Sequence, residues 1–253
     1  DTFSGYIKAG LALSRGYKIY DKLLKYTQKY PDDHGADANS VGGIHFGIGA
    51  IHLVTSILPP KVVGLLSALG YMHDRDLGFE HLNICLQSRT LRSPIASLLL
   101  LCFHGILPSF AALTAPHNIP LADAVVAETL AVYPHSMLHL WMSGRVERIK
   151  KNTKGAIAIF QSCVEQSAKL RDSLPQLEHF ALYDLAWSYT AQADWLRAAA
   201  CFARLERESS WSKMFYTYAQ AACLDMMAVD VAVKADGYDA EVIKGIFTGK
   251  AAD

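Results

Sequence analysis

The sequence has no excess of either charge: its 253 residues include 24 basic and 24 acidic side chains, so the formal net charge is zero. A protein that binds nucleic acid through the phosphates is usually strongly basic, so nucleic-acid binding is not expected. Charged residues make up only 19% of the chain, against a typical share of about 25%. This composition excludes a disordered polypeptide and predicts a large buried core.

Cysteine is scarce and has no metal-binding spacing. The chain has five cysteines, an odd number, and no Cys-x-x-Cys pair, so neither a disulfide framework nor a cysteine zinc site is expected. The expected environment is reducing and cytoplasmic. The chain starts at Asp1 without a methionine or a basic-then-apolar leader, so no secretory signal is predicted, and a fragment of a longer protein is an open alternative.

Strand-like sequence is almost absent. Alternation of apolar and polar residues between Asn-Gly or Asp-Gly turns is missing, whereas apolar residues recur at spacings of three and four. We therefore predict an all-α fold. A further helix is expected to begin with Asp74 or Asp76 as its cap, and Pro108 is expected to interrupt the uncharged stretch 93–122. The other predicted helices include 4–30, 41–58, 61–69 and 121–133.

Composition changes along the chain. All four tryptophans follow Pro134, whereas the long uncharged stretches precede it. We therefore place a boundary near Tyr133. The expected regions are an N-terminal region of apolar helices (1–133), a repeat region (134–228) and a C-terminal tail (229–253).

One internal repeat stands out in the second half. A series of four residues recurs after 42 positions, with the same spacing inside each copy. Leu140, Gly144, Ala156 and Phe160 form the first copy, and Leu182, Ala186, Ala198 and Phe202 form the second. Small residues at these positions let two antiparallel helices approach closely, while the leucine and phenylalanine fill the space beside the contact.

This repeat predicts a right-handed solenoid of tetratricopeptide-like helix hairpins, degenerate in its N-terminal half. A standard repeat of this type is about 34 residues long. The wider spacing in this chain needs a longer connection between the hairpins, which the stretch 172–175 is expected to supply. A third unit begins at Ser210, and its first helix is expected to continue through Met227.

Several stretches resemble the tetratricopeptide repeat protein 39 family, which includes the fungal inclusion-body-clearance proteins. The resemblance runs from Gly5 to about Ala228, and the tail after it matches poorly. The stretches that carry it are 47–53 (GIGAIHL), 56–60 (SILPP), 74–78 (DRDLG), 144–147 (GRVE) and 210–213 (SWSK).

The resemblance implies a non-enzymatic adaptor that binds proteins and needs no cofactor. Its implied roles are the clearance of protein aggregates or the regulation of lipids. The implied location is the cytoplasm, with the nucleus or the periphery of an intracellular membrane as alternatives.

The repeat register predicts a binding groove on the first helix of each hairpin. Trp141, Arg145 and Arg148 fall there in the first copy, and Tyr183 and Trp187 in the second. Aromatic side chains beside arginines are enriched at binding hot spots, and the arginines favour an acidic protein segment. A solvated, basic helix end is the alternative interpretation of the arginines.

Two pairs of histidines have spacings that a metal site could use. His135 and His139 lie four residues apart and His45 and His52 seven apart, so each pair falls on one helical face. No third ligand is placed by either spacing, so we expect no metal. A surface or capping role is predicted for the first pair, and hydrogen bonding within a helix interface for the second.

Two short motifs suggest chemistry but lack their companions. Gly47-Ile48-Gly49 resembles the start of a dinucleotide-binding loop, yet no strand precedes it and His52 occupies the third glycine position. Ser210 and Lys213 have the Ser-x-x-Lys spacing of serine acyl enzymes without the other elements of that site. We therefore predict no catalytic site.

Two uncharged segments, 41–60 and 93–122, are long enough to cross a bilayer. Glycines and histidines in the first and Pro108 in the second disfavour a span, because polar backbone freed in lipid is costly. We expect buried helices, with a peripheral membrane or lipid-associated protein as the alternative function.

Overall fold

The computed structural model describes residues 2–31, 35–58, 60–68, 74–110, 118–167 and 173–233. All regular elements within these ranges are helices, so the predicted all-α class is confirmed. The chain divides into two compact units, Asp1–Met142 and Ser143–Asp253. The boundary at Tyr133 stays a prediction.

The first unit is a series of packed helices. α2 packs on α1 and α4, and α5 packs on α4 and α7. The last helix of the series, α8, continues into the second unit. The elements are α1 (Thr2–Lys29), α2 (Ala38–Thr55), α3 (Pro60–Ala68), α4 (Arg75–Gln87), α5 (Ser93–Leu101), a π-helical turn (Cys102–Ile106), α6 (Leu107–Phe110), α7 (Ile119–Val132) and α8 (Met137–Ile149).

Aspartate caps set the starts of α2 and α4. The Asp37 side chain accepts a hydrogen bond from the Ser40 backbone nitrogen at 2.8 Å, and Asp74 accepts one from Leu77 at 3.1 Å. The backbone N–H groups in the first turn of a helix have no carbonyl partner within the helix. Each carboxylate accepts a hydrogen bond from one of them. Of the two predicted caps for α4, the structure uses Asp74.

α2 and α4 cross at a pair of glycines. A Cβ atom added to Gly49 would lie 2.9 Å from the carbonyl oxygen of Gly78, and one added to Gly78 would lie 3.2 Å from the Leu53 nitrogen. The two backbones are therefore in direct contact. The glycines of the Gly47-Ile48-Gly49 motif serve helix packing here, since Gly47 likewise faces the ring of Tyr20.

The predicted interruption at Pro108 was wrong in position. The helix continues through the proline to Phe110, and the irregularity is the π-helical turn before it, in which the Leu107 nitrogen bonds to the Cys102 carbonyl. Proline has no N–H, and its ring clashes with the carbonyl four residues earlier in a regular helix. A widened turn before the proline accommodates that ring without ending the helix.

The second unit is built from helix hairpins. Its helices pack in chain order, α9 on α10, α10 on α11 and α11 on α12. The connection predicted at 172–175 is described only from residue 173 onward. The tail beyond Val233 lies outside the described residues. The further elements are α9 (Thr153–Ser167), α10 (Pro175–Ala191), α11 (Trp195–Glu208) and α12 (Lys213–Val233).

The turns after α8 and α10 have the same conformation at equivalent positions of the two repeat copies. Lys151 and Ala193 have φ values of 64° and 56°, the left-handed conformation that commonly ends a helix. The following residues, Asn152 and Asp194, each cap the next helix by accepting from the backbone nitrogen three positions on, at 3.1 and 3.2 Å. Their own backbone nitrogens bond back to the carbonyl five positions earlier, at 2.9 and 3.0 Å. The predicted helical-repeat class is confirmed.

The residues of the internal repeat lie mostly in the core. Gly144 faces the ring of Phe160 so closely that an added Cβ would lie 2.5 Å from Cε1. Leu140 is half-buried and belongs to the first unit. The other repeat residues, all buried, are Ala156, Leu182, Ala186, Ala198 and Phe202.

Candidate functional site

Two arginines of α8 meet a buried carboxylate of α10. Arg145 donates from Nη1 to both carboxylate oxygens of Asp184, at 3.1 and 3.0 Å, and Nη1 of Arg148 lies 2.7 Å from Oδ1. The Asp184 side chain is only 1% exposed, whereas that of Arg148 is 27% exposed. An arginine stays charged in a protein, so the carboxylate offsets the cost of burying the Arg145 guanidinium.

An aromatic cluster lies beside these groups on α10 and at the start of α12. We define it as Tyr183, Trp187, Trp211 and Phe215. The Tyr183 ring lies at the centre, with its centroid 6.2 Å from Trp187, 6.3 Å from Trp211 and 6.4 Å from Phe215. Such spacings and the edge-on orientation of the two indoles to Tyr183 are favourable for aromatic pairs. Trp211 keeps 62% of its surface exposed, so the cluster faces solvent.

An apolar cavity of about 220 Å³ adjoins the aromatic cluster. Trp187 of α10, Phe202 of α11 and Tyr218 of α12 are among its walls, and Tyr218 is 73% exposed. We call the cavity and the aromatic cluster together the α10–α12 groove. The remaining lining residues are Thr190, Trp195, Phe215, Ala219, Ala222, Cys223 and Met226.

Polar contacts hold the helices around this groove in place. The indole nitrogen of Trp195 donates to Asp230 at 2.9 Å, which ties α11 to α12. Arg204 of α11 forms an ion pair with Glu178 of α10, whose side chain is almost fully buried. Buried charged partners of this kind fix helix positions, because breaking one would leave the other buried without its counter-charge.

The structure brings together part of the predicted groove. Arg145, Arg148, Tyr183 and Trp187 lie on α8 and α10 of the second unit, whereas Trp141 belongs to the first unit. The arginines face Asp184, which the repeat register did not single out, although it is one of only two acidic residues in α10. The Ser210-Trp211-Ser212 stretch carried the family resemblance, and its part in the aromatic cluster was not predicted.

The histidine pair at the start of α8 serves packing within the first unit. His139 is buried, with Nε2 2.7 Å from the Ser97 hydroxyl and Nδ1 2.7 Å from the Ser136 hydroxyl. Of the surface or capping role predicted for this pair, the surface alternative is wrong for His139, because its ring is buried between α5 and Ser136, the residue before α8. His135 is exposed, as expected. Burial lowers the pKa of His139.

The histidines of α2 make separate contacts. Nδ1 of His52 accepts a hydrogen bond from the Asp74 nitrogen at 2.9 Å, and Nδ1 of His45 lies 2.8 Å from Nδ1 of His81 on α4. Each of the two histidines thus makes a hydrogen bond within a helix interface, as predicted. Within the described ranges, no three histidine, cysteine or acidic side chains are grouped as a metal ion would need.

The remaining chemical candidates are ordinary structural residues in the described part of the chain. Ser210 is exposed, and Lys213 is the first residue of α12, with its side chain exposed. Burial raises the pKa of Cys163 to about 12 and that of Cys201 to about 11. These two thiols therefore stay protonated and are poor nucleophiles near neutral pH.

Comparison with known proteins is consistent with the repeated hairpins. The sequence model of the Iml2/Tetratricopeptide repeat protein 39 family matches residues 1–247. The chain belongs to this family. The family match continues past Ala228, where the stretches noted in the sequence ended. No solved structure matches the chain.

For an Iml2/Tetratricopeptide repeat protein 39 chain, the α10–α12 groove is the natural candidate for a functional site. Repeats of the tetratricopeptide type are protein-interaction scaffolds and are generally non-catalytic. In the described residues, no helix is both long and apolar enough to cross a membrane.

Proposed function

We propose that this chain is a non-enzymatic adaptor that binds a protein segment in the α10–α12 groove. Membership of the family indicates a protein-interaction scaffold. The observation that supports this particular surface is the cavity of about 220 Å³ beside the solvent-facing aromatic cluster. Exposed tryptophan and tyrosine rings around an apolar cavity are typical of binding hot spots.

The partner that we propose is an acidic protein segment with one large apolar side chain. A cavity of about 150 Å³ already accommodates benzene, so the groove can take a leucine or phenylalanine side chain. The basic stretch 145–154 of the same unit supports the choice of an acidic partner. Asp184 already faces Arg145 and Arg148, and Lys151 and Lys154 add exposed positive charge.

We place this adaptor in the cytoplasm, in aggregate clearance or lipid regulation. The resemblance to the family supports these roles, and nothing in the groove requires a cofactor. All residues of the groove lie in the second unit. The purified chain therefore contains the whole groove and can be used to find its partner.

Replacing Trp187 or Trp211 with alanine should weaken binding of such a segment at least tenfold, because each substitution removes a ring from the wall or rim of the groove. We suggest selecting displayed peptides on the purified chain and measuring the selected peptides by fluorescence anisotropy. The enriched peptides should combine acidic residues with a single leucine, phenylalanine or tryptophan.

The matched control is Tyr26→Ala, which removes an exposed aromatic side chain from α1. This variant should bind the selected peptides within about twofold of the unsubstituted chain. Equal binding by the Trp187 and Trp211 variants, with helicity retained, would remove the groove as the binding site.

A second candidate, peripheral contact with lipid, is supported by a different observation. The two uncharged segments meet in the first unit and line one apolar cavity of about 180 Å³. Val54 and Ile57 of the first segment are substantially exposed at this cavity. The cavity walls from the second segment are Leu99, Cys102, Phe103, Ile106 and Leu107.

Liposome flotation tests the lipid candidate. If it is correct, the chain should float with vesicles, and Val54→Asp should reduce the floating fraction severalfold because a carboxylate at this surface is costly to bury in lipid. Val132→Asp is the control, since Val132 is equally apolar and 40% exposed but lies on α7 away from the cavity. A chain that remains unbound at every lipid composition would dispose of this candidate.

A further inference from the structure

Two histidines share a hydrogen bond at the crossing of α2 and α4. Nδ1 of His45 lies 2.8 Å from Nδ1 of His81, and the ring centroids are 4.9 Å apart. One Nδ1 must donate a proton and the other must accept it, so the bond exists only while at least one imidazole is neutral. A second proton would place two N–H groups and two positive charges face to face.

The two rings lie beside the closest approach of the two helices, with His81 buried and His45 half-buried. His45 lies one turn before Gly49, and His81 lies one turn after Gly78, the two glycines at which the backbones touch. A shift of either helix toward the other is blocked at that crossing. Repulsion between two charged rings at this crossing therefore favours separation of α2 and α4.

We propose that the His45–His81 hydrogen bond is a pH-sensitive latch, which holds α2 against α4 near neutral pH and releases the two helices when the chain is acidified. The latch lies in the first unit and does not depend on the α10–α12 groove. Its release would uncover apolar surface of α2, which has no acidic, lysine or arginine side chain along its length.

The surrounding charges agree with this assignment. Burial is the main cause that lowers the pKa of both imidazoles. The charge of His81 further lowers the pKa of His45, and that of His52 lowers the pKa of His81. Glu80 opposes these effects by raising both pKa values. Of the neighbouring helices, α1 brings the Tyr17 ring to His52. Arg92, directly before α5, places its guanidinium 5.7 Å from the centre of the Phe46 ring, next to His45 in sequence.

The sign of the pH dependence follows from these directions. A histidine with a lowered pKa stays neutral in the folded chain, while in the unfolded chain it takes up a proton below about pH 6.5. Stability is therefore full above that pH and falls as the solution is acidified toward the folded pKa. Each proton taken up on unfolding lowers the folded-to-unfolded ratio tenfold per pH unit.

The experiment is urea unfolding of the whole chain from pH 7.5 to 5.0 at constant ionic strength. His45→Gln and His81→Gln should each reduce the proton uptake on unfolding by about one, because each substitution removes one imidazole that takes up a proton. The neutral amide can still hydrogen-bond to the remaining ring. His135→Gln, at an exposed histidine, should leave it unchanged. The buried imidazoles of His104 and His139 contribute the same proton uptake in every variant. The quantity to compare is therefore the difference in proton uptake between variants.

A second measurement keeps the proposal testable if a variant does not fold. In the unsubstituted chain, amide hydrogen exchange in α2 and α4, corrected for intrinsic rates, should rise at least tenfold between pH 7.5 and 5.5. Exchange in α10 and α11 should change less. The proposal fails if both rings titrate independently near pKa 6.5 by NMR while the chain stays folded, or if the proton uptake is the same in all variants.

Discussion

Replacing Asp184 with asparagine should lower the free energy of unfolding of the second unit by about 4 kcal/mol, within the range measured for broken buried ion pairs. The reason is that Arg145 stays charged, and its side chain is only 10% exposed. An amide cannot offset that charge. Chemical unfolding followed by circular dichroism at neutral pH measures the loss.

Two further variants define the cause of this loss. Asp21→Asn removes the carboxylate of an exposed ion pair with Lys25 and should cost less than about 1 kcal/mol. Combining Asp184→Leu with Arg145→Met removes both buried charges and should recover most of the stability, because a well-packed apolar pair replaces them. A loss for Asp184→Asn as small as that of the exposed pair would show that the carboxylate does not stabilise the buried arginine.

Gly144→Ala should destabilise the chain by about 2 kcal/mol, although alanine normally favours a helix. The new methyl group would overlap the Phe160 ring, which is fully buried. The two helices of the first hairpin would have to separate. Thermal or urea unfolding of the variant gives the magnitude.

Gly43→Ala is the matched control for this substitution. Gly43 lies inside α2, and a Cβ at that position would meet nothing within 4 Å. Alanine there should stabilise the chain by about 0.5–1 kcal/mol through lower chain entropy in the unfolded state. If both substitutions changed stability in the same direction, the close contact of α8 and α9 at Gly144 would be in doubt.

Most of the helices could be predicted because their signals are local. The spacing of apolar residues and the prolines and aspartates at the ends placed α1, α2, α3 and α7 within one helical turn of their observed bounds. Local signals fail where a helix is irregular. Pro108 was expected to interrupt the uncharged stretch 93–122, yet the irregularity is the π-helical turn before it, and the helix continues through the proline.

The candidate site was only partly predictable for the same physical reason. The repeat register placed Tyr183 and Trp187 on one helix face, since positions four apart share a face. It could not show that Asp184, the residue after Tyr183, would form ion pairs with two arginines of the preceding hairpin. Contacts between helices depend on the distance and angle of their axes, which no local pattern specifies.

The amino-acid sequence by itself determined the all-helical class, the internal repeat and the family, because apolar spacing, capping residues and repeated motifs are properties of the order of residues alone. Only the tertiary structure decided which polar groups became partners. The His45–His81 bond and the Asp184 ion pairs join residues far apart in sequence, and they exist because close packing of helix backbones brings those particular side chains within hydrogen-bonding distance.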